Sequence, residues 1–114
     1  MIKLVFIGDI MLGRMIGAKY KQHYKIVSDG LVKEARYADY VIANLESPVV
    51  NELDASADHP QFQGNPDTLD ELKWIDAFSL SNNHINDCAE RGMDETISIL
   101  DKKGFTHNGR RPPR

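Results

Sequence analysis

Three polar groups stand at intervals along the chain, each just past a short apolar run: Gly8-Asp9, Asn44-Leu45-Glu46 and Asn82-Asn83-His84. Asp9 and Glu46 offer carboxylate oxygens, Asn44, Asn82 and Asn83 offer amide oxygens, and His84 adds a nitrogen ligand that titrates near neutrality. Asn44 and Glu46 are two apart, so extended backbone turns both to one side and Leu45 to the other. Such donors suit a metal ion or a phosphate group, provided the fold gathers them. Singly, each has a plainer reading: a loop carboxylate capping a turn, polar punctuation after a strand, or a solvent-exposed histidine.

The elements that would gather them are short buried strands. Leu4–Ile7, Asp39–Ala43 and Ala77–Leu80 have the length and apolar character of buried strands. Between and after them the spacing predicts helices. Ser28-Asp29-Gly30 opens one that runs to about Arg36, with Leu31, Val32 and Ala35 on one face. Asn65-Pro66 starts a second, with Asn as cap and proline in the first turn, and Leu69 and Leu72 inward. A third carries the stripe Met93, Thr96, Ile97 and Leu100, with Asp87-x-x-Glu90 resembling a capping box, Lys102 and Lys103 in the last turn and Gly104 as the stop. A short final strand follows. Residues 47–64 lack any period and read as a long surface loop lying over the strand edge. Helices between buried strands predict an α/β fold with a parallel-sheet core, and ligands of such sheets bind beyond the carboxyl ends of the strands.

Composition narrows the field. With 114 residues, 41% hydrophobic and 27% charged, the chain suits one ordinary globular domain. A net charge of −3 gives no reason to expect a nucleic-acid partner or an anionic membrane surface. No run is long and apolar enough for a bilayer, and the N-terminus lacks a signal-peptide core, so the chain reads as cytoplasmic. Residues 1–109 read as the domain, and 110–114 as a basic, proline-rich tail carrying Arg110, Arg111 and Arg114. The single cysteine, Cys88, excludes an internal disulfide and reads as a small buried filler. His23, His59 and His107 read as surface residues. Gly8 to Gly13 has the glycine spacing of a phosphate-binding P-loop, but Arg14 and Met15 stand where that motif needs Lys and Ser or Thr, so the P-loop reading fails.

Four blocks in order resemble the bacterial capsule-synthesis (CapA, poly-γ-glutamate synthesis) family of the calcineurin-like metallophosphoesterase superfamily. They are Phe6-Ile7-Gly8-Asp9-Ile10-Met11-Leu12-Gly13-Arg14, then Ala38-Asp39 through Asn44-Leu45-Glu46-Ser47-Pro48, then Phe62 with Pro66, and finally Ser81-Asn82-Asn83-His84-x-x-Asp87 with Gly92 and Thr96. The resemblance implies the first half of an α/β/β/α sandwich and a metal-dependent phosphoesterase. Asp9, Glu46 and Asn83 would then be metal ligands for Mn, Zn, Fe or Mg. His84 would contact the scissile phosphate or protonate the leaving group, with Asp87 orienting its ring, and Arg14 would meet a phosphate oxygen. Two metals about 3.5–4 Å apart would clamp the phosphoryl group.

The same resemblance implies a phosphorylated or polyanionic substrate, envelope-polymer synthesis and association with the envelope. Met11 stands where the wider superfamily has a metal-binding histidine, Ala89 where the family commonly has glycine, and Gln63 where a basic residue is frequent. Family domains continue with further histidines, so the chain is expected to be truncated. Alone it should be inactive, with weak or single-metal binding, since Asp9 and Glu46 would repel each other without a cation. An exposed sheet edge would favour a homo-oligomer. The rival expectation is a non-catalytic scaffold, a polymer- or partner-binding module that keeps the fold.

Overall fold

The apolar runs become the strands β1 (Leu4–Ile10), β2 (Tyr40–Leu45), β3 (Ala77–Ser79) and β4 (Thr106–Asn108) of one all-parallel sheet in that spatial order. These coordinates come from a computed structural model and describe residues 1–109; the expected basic tail, 110–114, lies outside the described residues. Two strands outrun their apolar cores. β1 continues through Gly8-Asp9 to Ile10, and β2 reaches Leu45, because each finds backbone partners on the other.

The pairing of β1 with β2 contains one irregularity, and it matters for the site. Ile7 pairs with Ala43, but the next pair is Asp9 with Asn44, leaving Gly8 as an extra residue. Registered neighbours in a parallel sheet share a face, and strict alternation would put Asp9 on the face of Ile7 and Ala43. The bulge moves it to the face of Asn44. Ala43 and Leu45 are buried on the opposite side, so the extra glycine spares the chain a carboxylate in its core.

Crossovers that step one way across a sheet with a common hand put their helices on one face. Burial agrees: Val41, Ala43, Leu45 and Phe78 are buried, whereas Leu4 and Phe6 on the other face are 51% and 72% exposed. The core also takes in Leu69, Leu72, Ile75, Leu80, Ile85 and Leu100.

The helices are α1 (Ile16–Lys21), α2 (Asp29–Ala35) and α3 (Ala89–Lys103), with a 3-10 segment at Pro66–Leu72. The sequence gives no periodic sign of α1, a six-residue turn that packs on Pro66–Leu72. In α2, Ser28 Oγ accepts from Leu31 N at 3.2 Å, as a cap should, but Leu31 is exposed and only Ala35 of its expected stripe is buried. Asn65 Oδ1 accepts from Asp67 N at 2.8 Å, and the segment it caps is 3-10 rather than α. α3 starts at Ala89 behind Cys88, with no side-chain cap, so the expected capping box does not form. Its Gly104 stop, at φ 83°, and the burial of Met93, Thr96 and Leu100 follow the sequence, while Ile97 of the expected stripe is only partly buried and Ile99 takes a core place instead.

Residues 47–64 form the expected surface loop through 51–61, most of which is exposed, but the two ends of the segment are buried. Ser47, Val49, Val50, Gln63 and Gly64 are buried, and Val49 bridges Gly64 in parallel fashion. Ser47 Oγ accepts from Leu12 N at 3.1 Å, while Thr96 Oγ1 accepts from Val49 N at 3.0 Å. Asn51 is held through its N and Nδ2 by Glu95 Oε1. Ser47 and Thr96 thereby supply partners for the buried backbone N–H groups of Leu12 and Val49. Among the described residues, no helix is long and apolar enough to cross a membrane.

Candidate metal and phosphate site

The strand ends deliver Asp9, Asn44 and Glu46 to one point. Asn44 Nδ2 donates to Asp9 Oδ1 at 2.8 Å and to Glu46 Oε2 at 2.5 Å, so one amide group serves both carboxylates. Asp9 is exposed and Glu46 half-buried. The side-by-side placement of Asn44 and Glu46 follows the two-residue repeat, as expected; Glu46 N completes the edge by donating to Ile10 O at 2.9 Å.

The orientation of the Asn44 amide follows from its neighbours. Asn82 Oδ1 accepts from His84 N at 3.1 Å and Ile85 N at 2.9 Å, and backbone N–H groups only donate. Asn82 Nδ2 therefore faces the other way, donating to Leu45 O at 2.6 Å and to Asn44 Oδ1 at 3.0 Å. With Oδ1 thus engaged, Asn44 must turn its NH₂ toward the two carboxylates. The network thereby assigns both amides. Asn82 links the carboxylate pair to the turn that carries His84.

His84 Nδ1 meets Asp87 Oδ2 at 2.9 Å, and Asp87 is buried. An acceptor at Nδ1 places the ring hydrogen there and leaves Nε2 for a ligand or a proton. This contact is also why no capping box forms: the Asp87 carboxylate is committed to His84. The ring lies edge-on to Phe62, 4.8 Å between centroids, and to His59, 5.1 Å away. Phe62 in turn lies under Arg14, whose Cζ is 5.1 Å from the ring centroid. Arg14 is exposed, at φ 59°, and its backbone N donates to Gln61 O.

Gly13 explains how the loop after β1 reaches this segment. A Cβ built there would sit 2.4 Å from Phe62 Cα and carbonyl carbon. Only glycine permits that approach.

Of the residues expected at the site, Asp9 and Glu46 are brought together through the Asn44 amide, His84 joins them through Asn82, and Arg14 lies over Phe62, which packs on the His84 ring. Asn83 is exposed, beside a cleft with Ser81, Asn86 and Glu90. Residue types and spacing alone did not single out Asn82 as the connector, and the surface reading of His59 missed its contacts. His59 is exposed, yet its ring stacks on Phe62 at 5.3 Å and 13°. The periodless stretch around it left no signal of that placement.

Cys88 stays outside the chemistry: burial first, then the negative charges of Asp54, Asp87 and Glu95, push its thiol pKa up. A groove of about 900 Å³ lies elsewhere between α1, α2 and Pro66–Leu72, lined by Tyr20, Tyr24 and Trp74 among others. It lacks the converging donors found at the strand ends.

Asp9 and Glu46 form a hard oxygen donor pair suited to Mg²⁺ or Mn²⁺. The Asn44 hydrogens between them already offset part of their mutual repulsion, and each carboxylate retains lone pairs for a cation. No curated protein matches the chain. The family model described as bacterial capsule synthesis protein PGA_cap matches residues 3–112, nearly its whole length, and the chain belongs to that family.

Proposed function

We propose that this capsule-synthesis domain is a metal-dependent phosphoesterase acting on a phosphorylated or polyanionic substrate. The observation that carries the reading is the Asn44 amide spanning Asp9 and Glu46, tied by Asn82 to the turn of His84. Asp9 and Glu46 would hold a divalent cation, and the exposed Asn83 amide, which lines a neighbouring cleft, would have to swing toward them to join. When bound, the cation offsets phosphate charge and acidifies water.

The chain's own residues supply the rest. Arg14, seated over Phe62, presents its guanidinium to a phosphate oxygen, a pairing that delocalised charge and planar donors favour. His84 keeps Nδ1 on Asp87 and presents Nε2 to the leaving oxygen, where a proton held on that nitrogen would be delivered. Asp87 fixes the ring. Phe62 and His59 pack against the ring and limit its rotation.

Hydrolysis of aryl phosphomonoesters and phosphodiesters with added Mn²⁺ tests the reading. Any activity that appears with the metal should fall by about 100-fold or more in Asp9→Ala and in His84→Ala. Equal activity in those variants would remove the enzyme reading and favour the non-catalytic scaffold.

A further inference from the structure

The strand-end pair does not account for every ligand-bearing group nearby. His59, His84 and Asp87 each offer one ligand atom, and the three atoms lie within 4.8 Å of one another. We propose that these three residues form a separate site for one borderline transition-metal cation of the Zn²⁺ or Co²⁺ type. Two imidazoles and a carboxylate are a ligand set that such cations favour, and three protein ligands leave positions open for water or an anion.

The arrangement is held from several sides. Asp58 N donates to Asp87 O at 3.2 Å, which pins the strap next to the turn that bears His84 and Asp87. His59 itself adopts φ 51°, ψ 60°, a left-handed conformation uncommon for a residue with a side chain. Phe62 N donates to His59 O at 3.0 Å and the two rings stack, so this conformation is fixed by its surroundings. The Asp87 side chain is 6% exposed and that of His84 is 19% exposed, while His59 stands open to solvent as the entry side. Among the described residues, neither ring nitrogen of His59 makes a hydrogen bond, and His84 Nδ1 already faces Asp87 Oδ2 at 2.9 Å, so a shared ion would take the place of the hydrogen between them.

The donor chemistry separates this site from Asp9 and Glu46, which are oxygen-only and lie on the far side of Asn82. A cation held here takes up His84, which the phosphoesterase reading uses as proton donor, so the two uses of that ring exclude each other, and the site is tested by the cation and not by turnover.

Titration of the full chain with Co²⁺, followed by visible ligand-field absorption, and with Zn²⁺ by calorimetry tests the proposal. Three proteins suffice: wild type, His59→Asn, and the double variant Asp9→Asn with Glu46→Gln. Asparagine tolerates the left-handed backbone of position 59 and removes the imidazole. The expected result is a visible Co²⁺ band in wild type and in the double variant, with affinity weakened at least about tenfold in His59→Asn. Absence of the band from folded wild type, unchanged affinity in His59→Asn, or loss of the band in the double variant would each overturn it. Circular dichroism of the variants confirms that they are folded.

Discussion

Asn82 donates to Asn44 across 3.0 Å, and this contact joins residues 38 positions apart into one polar chain from Asp9 to His84. Because the oxygen of Asn82 is already taken by backbone donors, its amide can fill this role in one orientation only.

Asn82→Asp tests that chain with almost no change of shape. The new carboxylate keeps the bonds from His84 N and Ile85 N but loses both donations, to Asn44 Oδ1 and Leu45 O. Oxygen then faces oxygen in a half-buried place. A loss of about 1–3 kcal/mol is expected in urea denaturation. A variant as stable as wild type would show that the contact carries no energy.

Gly13 governs how closely the loop after β1 approaches Phe62. In Gly13→Ala the added methyl meets the Phe62 backbone, which is not a flexible side-chain end that can swing away. The denaturant midpoint should fall by the equivalent of about 1–3 kcal/mol with an unchanged m-value. An unaltered midpoint would mean that the strap moves freely, and with it the stack of Arg14 on Phe62.

Ala89 opens α3 at φ 55°, where a side chain is strained. It stands at a position where the resemblance leads one to expect glycine. Ala89→Gly should therefore raise stability, by about 0.5–1 kcal/mol, once the greater freedom of glycine in the unfolded chain is subtracted. Destabilisation on thermal melting would contradict this.

Cys88 supplies the pH dependence. Burial and three nearby carboxylates raise its thiol pKa, so the folded chain holds this proton more tightly than the unfolded chain. Its contribution is intact below the ordinary thiol range and is lost as pH rises through and above that range. Stability measured from about pH 7 to about pH 10 should fall, and Cys88→Ala should flatten part of that fall. The same burial predicts slow alkylation in the native protein and rapid alkylation in denaturant; rapid native labelling would count against it.

Much of the framework follows from local pattern. The apolar runs mark β1 to β3, the spacing of Met93, Thr96 and Leu100 marks the inner face of α3, and Gly104 marks its end. The placement of Asp9, Asn44 and Glu46 at one strand edge comes from the same reasoning. The capping box at Asp87 and the buried ends of the segment 47–64 show where it stops. Both depend on which of several chemically able partners a polar group meets, and local sequence is silent about that. Asp87 meets His84, and Ser47 meets Leu12 N, 35 residues away.

The amino-acid sequence by itself determined a parallel α/β scaffold with oxygen and nitrogen donors at its strand ends, because strand and helix periods and end signals act within a few residues. Tertiary structure alone decided that Gly8 bulges and so turns Asp9 toward Asn44, that Asn82 is the connector, and that His59 joins His84 and Asp87. Those outcomes rest on register between strands and on hydrogen bonds and ring contacts across 25 to 38 residues, and such partners are chosen only when the whole core has packed.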